Sequence, residues 1–178
     1  MEQAERAHRR KSCLVAAVVL AVLVAPARAQ DLDVDKKQWR EIEAALPAYP
    51  KAENLVPFSG GPASTHQFLV DAPSLSVGAD GVVRYTLVIK TGGGAMNVTH
   101  EGIRCDERQQ KTYAIGQPGG SWTRARDPQW RYIEYRTFNN HYRVLHNEYL
   151  CAGSDPVKTP KEIVQLLRRP PERHINDN

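Results

Sequence analysis

The feature that most constrains the fold is a two-residue alternation of apolar and polar side chains that begins near residue 66. Such alternation is typical of half-buried β-strands, whose successive side chains point to opposite faces. It is clearest over Val82–Thr91, where one face would carry Val83, Tyr85, Leu87 and Ile89. Turn-forming residues flank this segment at Ala79-Asp80-Gly81 and at Gly92-Gly93-Gly94. Strands joined in succession by tight turns predict an antiparallel sheet.

The other strand candidates are separated by glycine, proline and polar residues, as at Gln117-Pro118-Gly119-Gly120. They cover His66–Val70, Ser74–Val77, Ala95–Cys105, Lys111–Ile115 and Trp130–Arg136. The sheet is therefore predicted to have about five to six strands.

A helix is predicted before the sheet, over Asp35–Leu46. Trp39, Ile42 and Leu46 fall at the spacing that places side chains on one face of a helix. Pro47 follows directly, and a proline ends a helix because it has no N–H to donate. This helix would cover one face of the sheet.

A second helix is predicted after the sheet, over Pro160–Arg169. Thr159 and Glu162 form the sequence pattern of a capping box at its start. The segment His141–Leu150 is ambiguous, although it has apolar residues at helical spacing. The predicted fold class is α+β, an antiparallel sheet with N- and C-terminal helices packed on it.

The first 29 residues have the three-part layout of a secretory signal peptide. An apolar stretch, Leu14–Ala25, follows the basic residues Arg6, Arg9, Arg10 and Lys11. Ala27-Arg28-Ala29 then offers a signal-peptidase site, so we expect cleavage after Ala29 and export to the periplasm. Sec export is expected, and the twin-arginine route is an open alternative because Arg9 and Arg10 are adjacent.

Removal of the predicted leader changes the charge and the length of the protein. The leader holds five basic and two acidic residues, so +3 of the chain's net charge of +4 leaves with it. The mature chain would have 149 of the 178 residues and a net charge of +1. A nearly neutral chain gives no electrostatic reason to expect a nucleic-acid partner. No later stretch is apolar for long enough to predict a transmembrane segment.

The cysteines form an even pair once the leader is removed. Cys13 belongs to the leader, which leaves Cys105 and Cys151. Two cysteines in an oxidising compartment predict one disulfide. The alternative is a reactive thiol or a metal-binding pair. It is disfavoured because there is no Cys-x-x-Cys motif and no histidine beside either cysteine.

The mature chain is long enough for one domain with its own core. Residues 30–65 are predicted to supply the N-terminal helix and a proline-rich connector, and residues 66–169 the sheet and the C-terminal helices. Residues 170–178 are predicted to be a disordered tail, as chain ends often are.

Two segments carry a family resemblance, Ser74–Val88 (SLSVGADGVVRYTLV) and Gly94–Cys105 (GAMNVTHEGIRC). Together with Lys111–Ala114, Trp122, Trp130 and Tyr149–Cys151, they resemble the CNP1-like family, whose name refers to a cryptic neisserial protein. The resemblance covers about residues 36–152. It implies an exported bacterial protein of unassigned function and supplies no catalytic residues. His100 stands where the family pattern leads us to expect an aromatic residue, which argues against a required histidine there.

Glu101 and Arg104 flank Gly102 near the end of a predicted strand. Alternation places Glu101 on the face of Ile103 and Cys105, and Arg104 on the opposite face. A glycine in a strand often marks a bulge, which could bring the two side chains together. They would then form either a carboxylate–guanidinium site with Glu101 as the candidate catalytic residue, or a structural pair. We favour the structural pair, because buried ionic groups more often anchor a fold than catalyse.

Other catalytic and metal-binding patterns are weak. His141 and His146 are five residues apart, so they would diverge on a helix and face opposite sides on a strand. The chain has no Gly-x-Ser-x-Gly and no Ser-x-x-Lys motif. We therefore predict no metal site and no cofactor.

The segment Trp122–Arg143 interleaves aromatic and arginine residues. Such side chains can stack on sugars or bases and hold phosphates. Alternatively, the aromatic residues fill the core and the arginines coat the sheet, as they do in many half-buried strands. The candidate ligand-binding residues are Arg104, Trp122, Arg124, Arg126, Trp130 and Arg131.

These patterns predict a periplasmic protein of unassigned activity, most simply a non-catalytic envelope binding or accessory module that uses the aromatic–arginine segment. Its partner would be an envelope lipid, glycan or protein. Two alternatives stay open. One is a small periplasmic hydrolase that uses Glu101, and the other is a structural component of an envelope assembly.

Overall fold

A computed structural model describes residues 39–60, 64–134 and 140–169 of the chain. Its main feature is a seven-stranded antiparallel sheet in which six strands neighbour one another in chain order, while the seventh pairs with β5 beside β6. The strands are β1 Leu55–Phe58, β2 Gln67–Val77, β3 Val82–Lys90, β4 Met96–Arg104, β5 Gln109–Gln117, β6 Ser121–Arg124 and β7 Arg131–Tyr132. The predicted antiparallel sheet and the α+β class are confirmed.

The central strand β3 is buried on both faces of the sheet. Its residues from Val82 to Val88 are all buried. Val83, Tyr85 and Leu87 belong to the main hydrophobic core on one face. The side chains between them point to the second face.

Ser74 explains why two predicted strands form one continuous strand, β2. The register against β3 shifts between Asp71 and Ser76. Within this shift Ser74 Oγ donates to the Asp71 carbonyl at 2.7 Å and accepts from the Thr86 N–H at 2.7 Å. The hydroxyl therefore replaces a backbone group in the ladder, so the strand bends without leaving a buried N–H unpaired.

Helices cover the core face of the sheet. They are α1 Asn140–Val144, a π-helical segment Leu145–Leu150, and α2 Pro160–Leu167. The predicted capping box is present, because Thr159 Oγ1 accepts from the Glu162 N–H at 3.2 Å and the Glu162 carboxylate accepts from the Thr159 N–H at 3.1 Å. Ile163 and Leu167 of α2 are buried in the core.

A disulfide joins Cys105, directly after β4, to Cys151, as predicted. Cys151 begins the short strand β8 Cys151–Ala152, which pairs with β9 Asp155–Pro156. Both sulfur atoms lie in the hydrophobic core. The bond therefore ties the helical segment that ends at Leu150 to the sheet it covers.

The predicted N-terminal helix is wrong over its described part, since residues 39–50 contain no helix. The Ile42 N–H donates to Asp80 Oδ2 at 2.8 Å, and the Ile42 carbonyl accepts from Arg84 Nη2 at 2.6 Å. Because the sheet takes these backbone groups, they are not free for bonds within a helix. Residues 39–49 instead cross the second face of the sheet without regular secondary structure, and we call them the strap.

Other predictions require smaller corrections. Part of the predicted connector forms a 3₁₀ turn, Ala52–Asn54, and strand β1. Of the predicted last strand Trp130–Arg136, only Arg131–Tyr132 is in the sheet, while its residues 135–136 lie outside the described residues. The predicted leader and tail also lie outside the described residues. Within the described ranges, no helix is long and apolar enough to cross a membrane.

Candidate functional site

Arg104, the first of the predicted ligand-binding residues, is packed between the sheet and the strap. Its guanidinium carbon lies 3.8 Å from the ring centroid of Trp39 and 6.0 Å from that of Trp130. Its Nη2 is 3.0 Å from Asp106 Oδ2. The cation is thus already stacked and paired within the protein.

Trp130 anchors the strap through Glu41. The indole Nε1 donates to Glu41 Oε2 at 3.2 Å, and Lys111 Nζ donates to the same oxygen at 2.8 Å. Burial alone would raise the pKa of Glu41, but hydrogen bonds from Lys111, Tyr113 and Trp130 outweigh it and hold the pKa below its ordinary value. Glu41 is therefore a charged acceptor that fixes the indole in place.

Trp122 anchors the other end of the strap. Its Nε1 donates to the Pro47 carbonyl at 2.9 Å, and its ring lies 5.4 Å from that of Tyr49. The Tyr49 hydroxyl in turn donates to the Gln117 carbonyl at 3.3 Å. Both predicted ligand-binding tryptophans are thus engaged in holding residues 39–49 on the sheet.

The three remaining predicted residues lie along the edge of the sheet formed by β6 and β7. Arg124, Arg126 and Arg131 are exposed. Among the described residues, Arg124 makes one ion pair, at 3.7 Å with Glu43, and both side chains are mostly in solvent. The register places Arg124 opposite Ala114, toward the strap face, and Arg131 opposite Gln110, toward the other face. The predicted ligand-binding residues therefore do not form one continuous surface.

Glu101 is sealed in the core face with a relative exposure of 1%. Three hydroxyls donate to its carboxylate: Thr99 at 2.8 Å, Tyr142 at 3.0 Å and Tyr85 at 3.1 Å. Burial raises the pKa of Glu101, and the three hydrogen bonds oppose this only in part. The carboxyl group ties α1 to β3 and β4, and the hydrolase alternative loses the accessible carboxylate that it required.

Glu101 and Arg104 point to opposite faces, as the alternation predicts, and the predicted bulge does not bring them together. The register of β4 against β5 shifts between His100 and Glu101, and the unpaired residue is Tyr113 on β5. Gly102 is needed for another reason, because a Cβ there would lie 2.6 Å from the Tyr113 hydroxyl oxygen. The glycine accommodates the tyrosine ring rather than a carboxylate–guanidinium pair.

A model of the CNP1-like family matches residues 34–168. The chain belongs to the CNP1-like family. The match includes the strap, the strands and α-helices of the described residues, and the two disulfide-bonded cysteines. No curated protein and no solved structure matches the chain.

Two histidines of this CNP1-like protein are buried and uncharged. Burial lowers the pKa of His141 to about 4, and burial with Arg84 nearby does the same for His100. His146 is close to the Asn147 side chain at 2.8 Å and to the Cys105 carbonyl at 3.3 Å. Within the described ranges, no group of three or more His, Cys, Asp or Glu side chains could hold a metal ion.

The sequence reasoning missed a cavity of about 480 Å³ between β1 and the C-terminal end of α2. Its lining consists of Val56, Pro57, Phe58, Ser59, Tyr149, Leu167, Arg168 and Arg169. The apolar lining residues come from three separate parts of the chain, so no local pattern indicates them. The adjacent Arg168 and Arg169 were a visible signal, but cations in the last turn of a helix are common because they complement the helix dipole.

Proposed function

We propose that this CNP1-like protein is exported to the periplasm and acts there as a binding or accessory module of the cell envelope. Two observations support export. The first 29 residues have the layout of a signal peptide, and Cys105 and Cys151 lie in disulfide geometry. Structural disulfides persist in oxidising compartments and are rare in the cytosol.

The observation that carries the binding role is the exposure of Arg124, Arg126 and Arg131 along the β6–β7 edge. Arg126 and Arg131 form no ion pair with any described residue, and the pair of Arg124 with Glu43 is long and solvated. Exposed guanidiniums bind phosphate and carboxylate groups well. The proposed partner is therefore an anionic component of the envelope.

A role without catalysis is supported by the state of Glu101. Its carboxyl group is closed off from solvent, and all three of its hydrogen-bond donors come from structural elements that pack the core. A general acid or base needs to reach its substrate directly or through one water.

Binding is tested with the mature protein and a triple variant, Arg124→Gln, Arg126→Gln and Arg131→Gln. We expect the variant to lose about tenfold in co-sedimentation with isolated envelope fractions at low salt, because three phosphate-binding cations are lost. A matched control, Lys51→Gln, Lys158→Gln and Lys161→Gln, removes the same charge elsewhere and should bind like the parent. Unchanged binding of the first variant, or an equal loss in both, contradicts the proposal.

Export is tested separately by expressing the full chain in a Gram-negative host. We expect the protein in the periplasmic fraction with an intact mass that begins at Gln30 and with no free thiol. Retention of the leader in the cytoplasmic fraction contradicts the export part of the proposal and leaves the binding assay on purified protein unaffected.

A further inference from the structure

We propose that the cavity beside β1 binds a single-chain anionic amphiphile, an acyl chain that ends in a carboxylate or a phosphate. Its volume of about 480 Å³ lies in the range of small-molecule sites. The cavity is formed by β1, the π-helical segment and α2, and none of the arginines at the β6–β7 edge lines it. The proposal therefore goes beyond the envelope-binding role and does not depend on it.

The walls of the cavity are apolar and firmly held. Val56, Phe58, Tyr149 and Leu167 are all buried members of the main core. The Phe58 and Tyr149 rings meet edge to face with centroids 5.9 Å apart. Because these side chains are packed from behind, the cavity exists before a ligand arrives, and an acyl chain can enter it without disturbing the core.

Pro57 indicates that the occupant is not an additional β-strand. β1 is an edge strand that pairs only with β2 among the described residues, and Pro57 lies within it. A proline has no N–H to offer, so it prevents continuous pairing of this edge with another chain. Pro57 is one of the residues that line the cavity.

Arg168 and Arg169 define the charge of the ligand. Both line the cavity, both are exposed, and neither forms an ion pair with a described residue. Guanidinium groups bind carboxylate and phosphate oxygens through paired hydrogen bonds. An apolar cavity with two exposed cations at its rim fits a ligand with an apolar stem and an anionic head.

The test is calorimetric titration of the delipidated mature protein below the micelle concentration of each probe. The probes are oleate, oleoyl-lysophosphatidylglycerol and the uncharged monooleoylglycerol. We expect one site per chain and at least about tenfold tighter binding of the anionic probes. Binding of oleate alone identifies a free fatty acid as the source, and binding of the phosphate probe alone identifies a lysophospholipid; either result supports the proposal.

Two sets of variants assign the site. The double variant Arg168→Gln and Arg169→Gln should reduce binding of the anionic probes to the level of monooleoylglycerol. Lys158→Gln with Lys161→Gln removes two charges around the start of α2 and should leave binding unchanged.

Three results overturn the proposal. These are the absence of binding by every probe, equal binding of charged and uncharged probes, and equal effects of the two double variants. Absence of binding together with a dimer of the mature protein in solution favours a contact between copies instead.

Discussion

Inside this sheet, the partners of a buried carboxyl group determine the direction of its pKa shift. Among the described residues, the donors to Glu101 are all hydroxyls, and burial raises its pKa. Burial acts in the same direction on Asp80, but hydrogen bonds from Arg84 and from the Ile42 N–H outweigh it and lower the pKa. Asp80, which has a cationic partner, therefore favours its charged form and holds the strap. Glu101, whose donors are hydroxyls, favours its protonated form.

The first prediction concerns Glu101→Gln. Because the folded pKa of Glu101 lies above its ordinary value, its contribution to stability is complete below the unfolded pKa and is lost as pH rises through the folded pKa. Gln cannot ionise, so it does not lose this contribution. The free energy of unfolding of the variant, relative to that of the parent, should therefore increase as pH rises from 4 to 9. Urea denaturation at several pH values measures this difference.

Glu43→Gln is the matched control, because the Glu43 carboxylate is 87% exposed. Its free energy of unfolding at pH 7 should differ from that of the parent by about 0.5 kcal/mol or less, because surface substitutions have small effects. A constant difference between Glu101→Gln and the parent would show that burial does not shift the ionisation of Glu101.

The second prediction concerns His100→Phe. The folded pKa of His100, about 4, lies below its ordinary value of 6.5, so the unfolded chain takes up the proton first. The contribution of the neutral His100 imidazole to the free energy of unfolding is fully present above about pH 6.5. It is lost as pH falls toward 4, at up to about 1.4 kcal/mol per pH unit. The variant should lose less stability than the parent over this range.

Urea denaturation of the His100 variant between pH 7 and 4 checks this expectation. His66→Phe makes the same substitution at an exposed histidine and is the matched control. Parallel pH profiles for His100→Phe and the parent would contradict the prediction.

The sequence predicts the face of the sheet on which a side chain lies wherever that face depends on strand alternation alone. Alternation correctly separates Glu101 from Arg104, because both lie in one regular strand. The partners of Glu101 were not predictable, since Tyr142 lies 41 residues later and Tyr85 16 residues earlier. Hydrogen bonds across such distances follow from the register of strands and the docking of helices.

At the scale of whole elements, the strap shows how distant contacts override a local pattern. Trp39 and Ile42 have helical spacing, yet Trp39 Nε1 donates to the Asp80 carbonyl at 2.8 Å and Ile42 bonds to Asp80 and Arg84. These partners lie about 40 residues away in the sequence. Helix propensity is worth only about 0.7 kcal/mol per residue or less, so a few such bonds outweigh it.

The third prediction concerns Asp80→Ala. Asp80 accepts from Arg84 at 2.6 and 3.1 Å and from the Ile42 N–H, with both charged side chains buried. Loss of the carboxylate leaves a buried guanidinium without its counter-ion, so we expect a loss of about 3 kcal/mol in stability. Hydrogen exchange of residues 39–49 should accelerate more than exchange in β3.

Asp106→Ala is the control, because Asp106 pairs with Arg104 but is 54% exposed. Its cost should be below about 1 kcal/mol, and exchange in the strap should change little. Equal effects of the two variants would show that Asp80 does not hold the strap in particular.

Elements with a strong local signature were predicted well. β3 and β4 are found within one or two residues of their predicted ends, and α2 has its capping box. β1 was missed because Pro57 reads as a connector residue. β6 was missed because its four residues, which include Trp122 and Arg124, were interpreted as a binding segment rather than as a strand.

At the scale of the molecule, the disulfide connects the two parts of the chain that form the core. Cys105 follows β4, and Cys151 follows the π-helical segment, with 46 residues of separation. Closing a loop of this length in the unfolded chain corresponds to about 4 kcal/mol of stabilisation in the chain-entropy description. The bond thus contributes a large share of the stability that a domain of this size has.

The fourth prediction follows from this connection. Cys105→Ala with Cys151→Ala should lower the free energy of unfolding by about 4 kcal/mol, measured in urea at pH 7. The parent protein with its disulfide reduced should unfold at a similar urea concentration, which separates loss of the bond from loss of sulfur packing. A difference below about 1 kcal/mol from the oxidised parent would contradict the prediction.

The strap also determines when the molecule can finish folding. Its contacts reach from Pro47 to Trp122 and from Glu41 to Trp130, sequence separations of 75 and 89 residues. Such non-local contacts form slowly, because a long loop must close before any contact is gained. A nascent chain that ends before residue 122 therefore lacks both tryptophans that anchor the strap, and the first described residues to be synthesised are among the last to make all their native contacts.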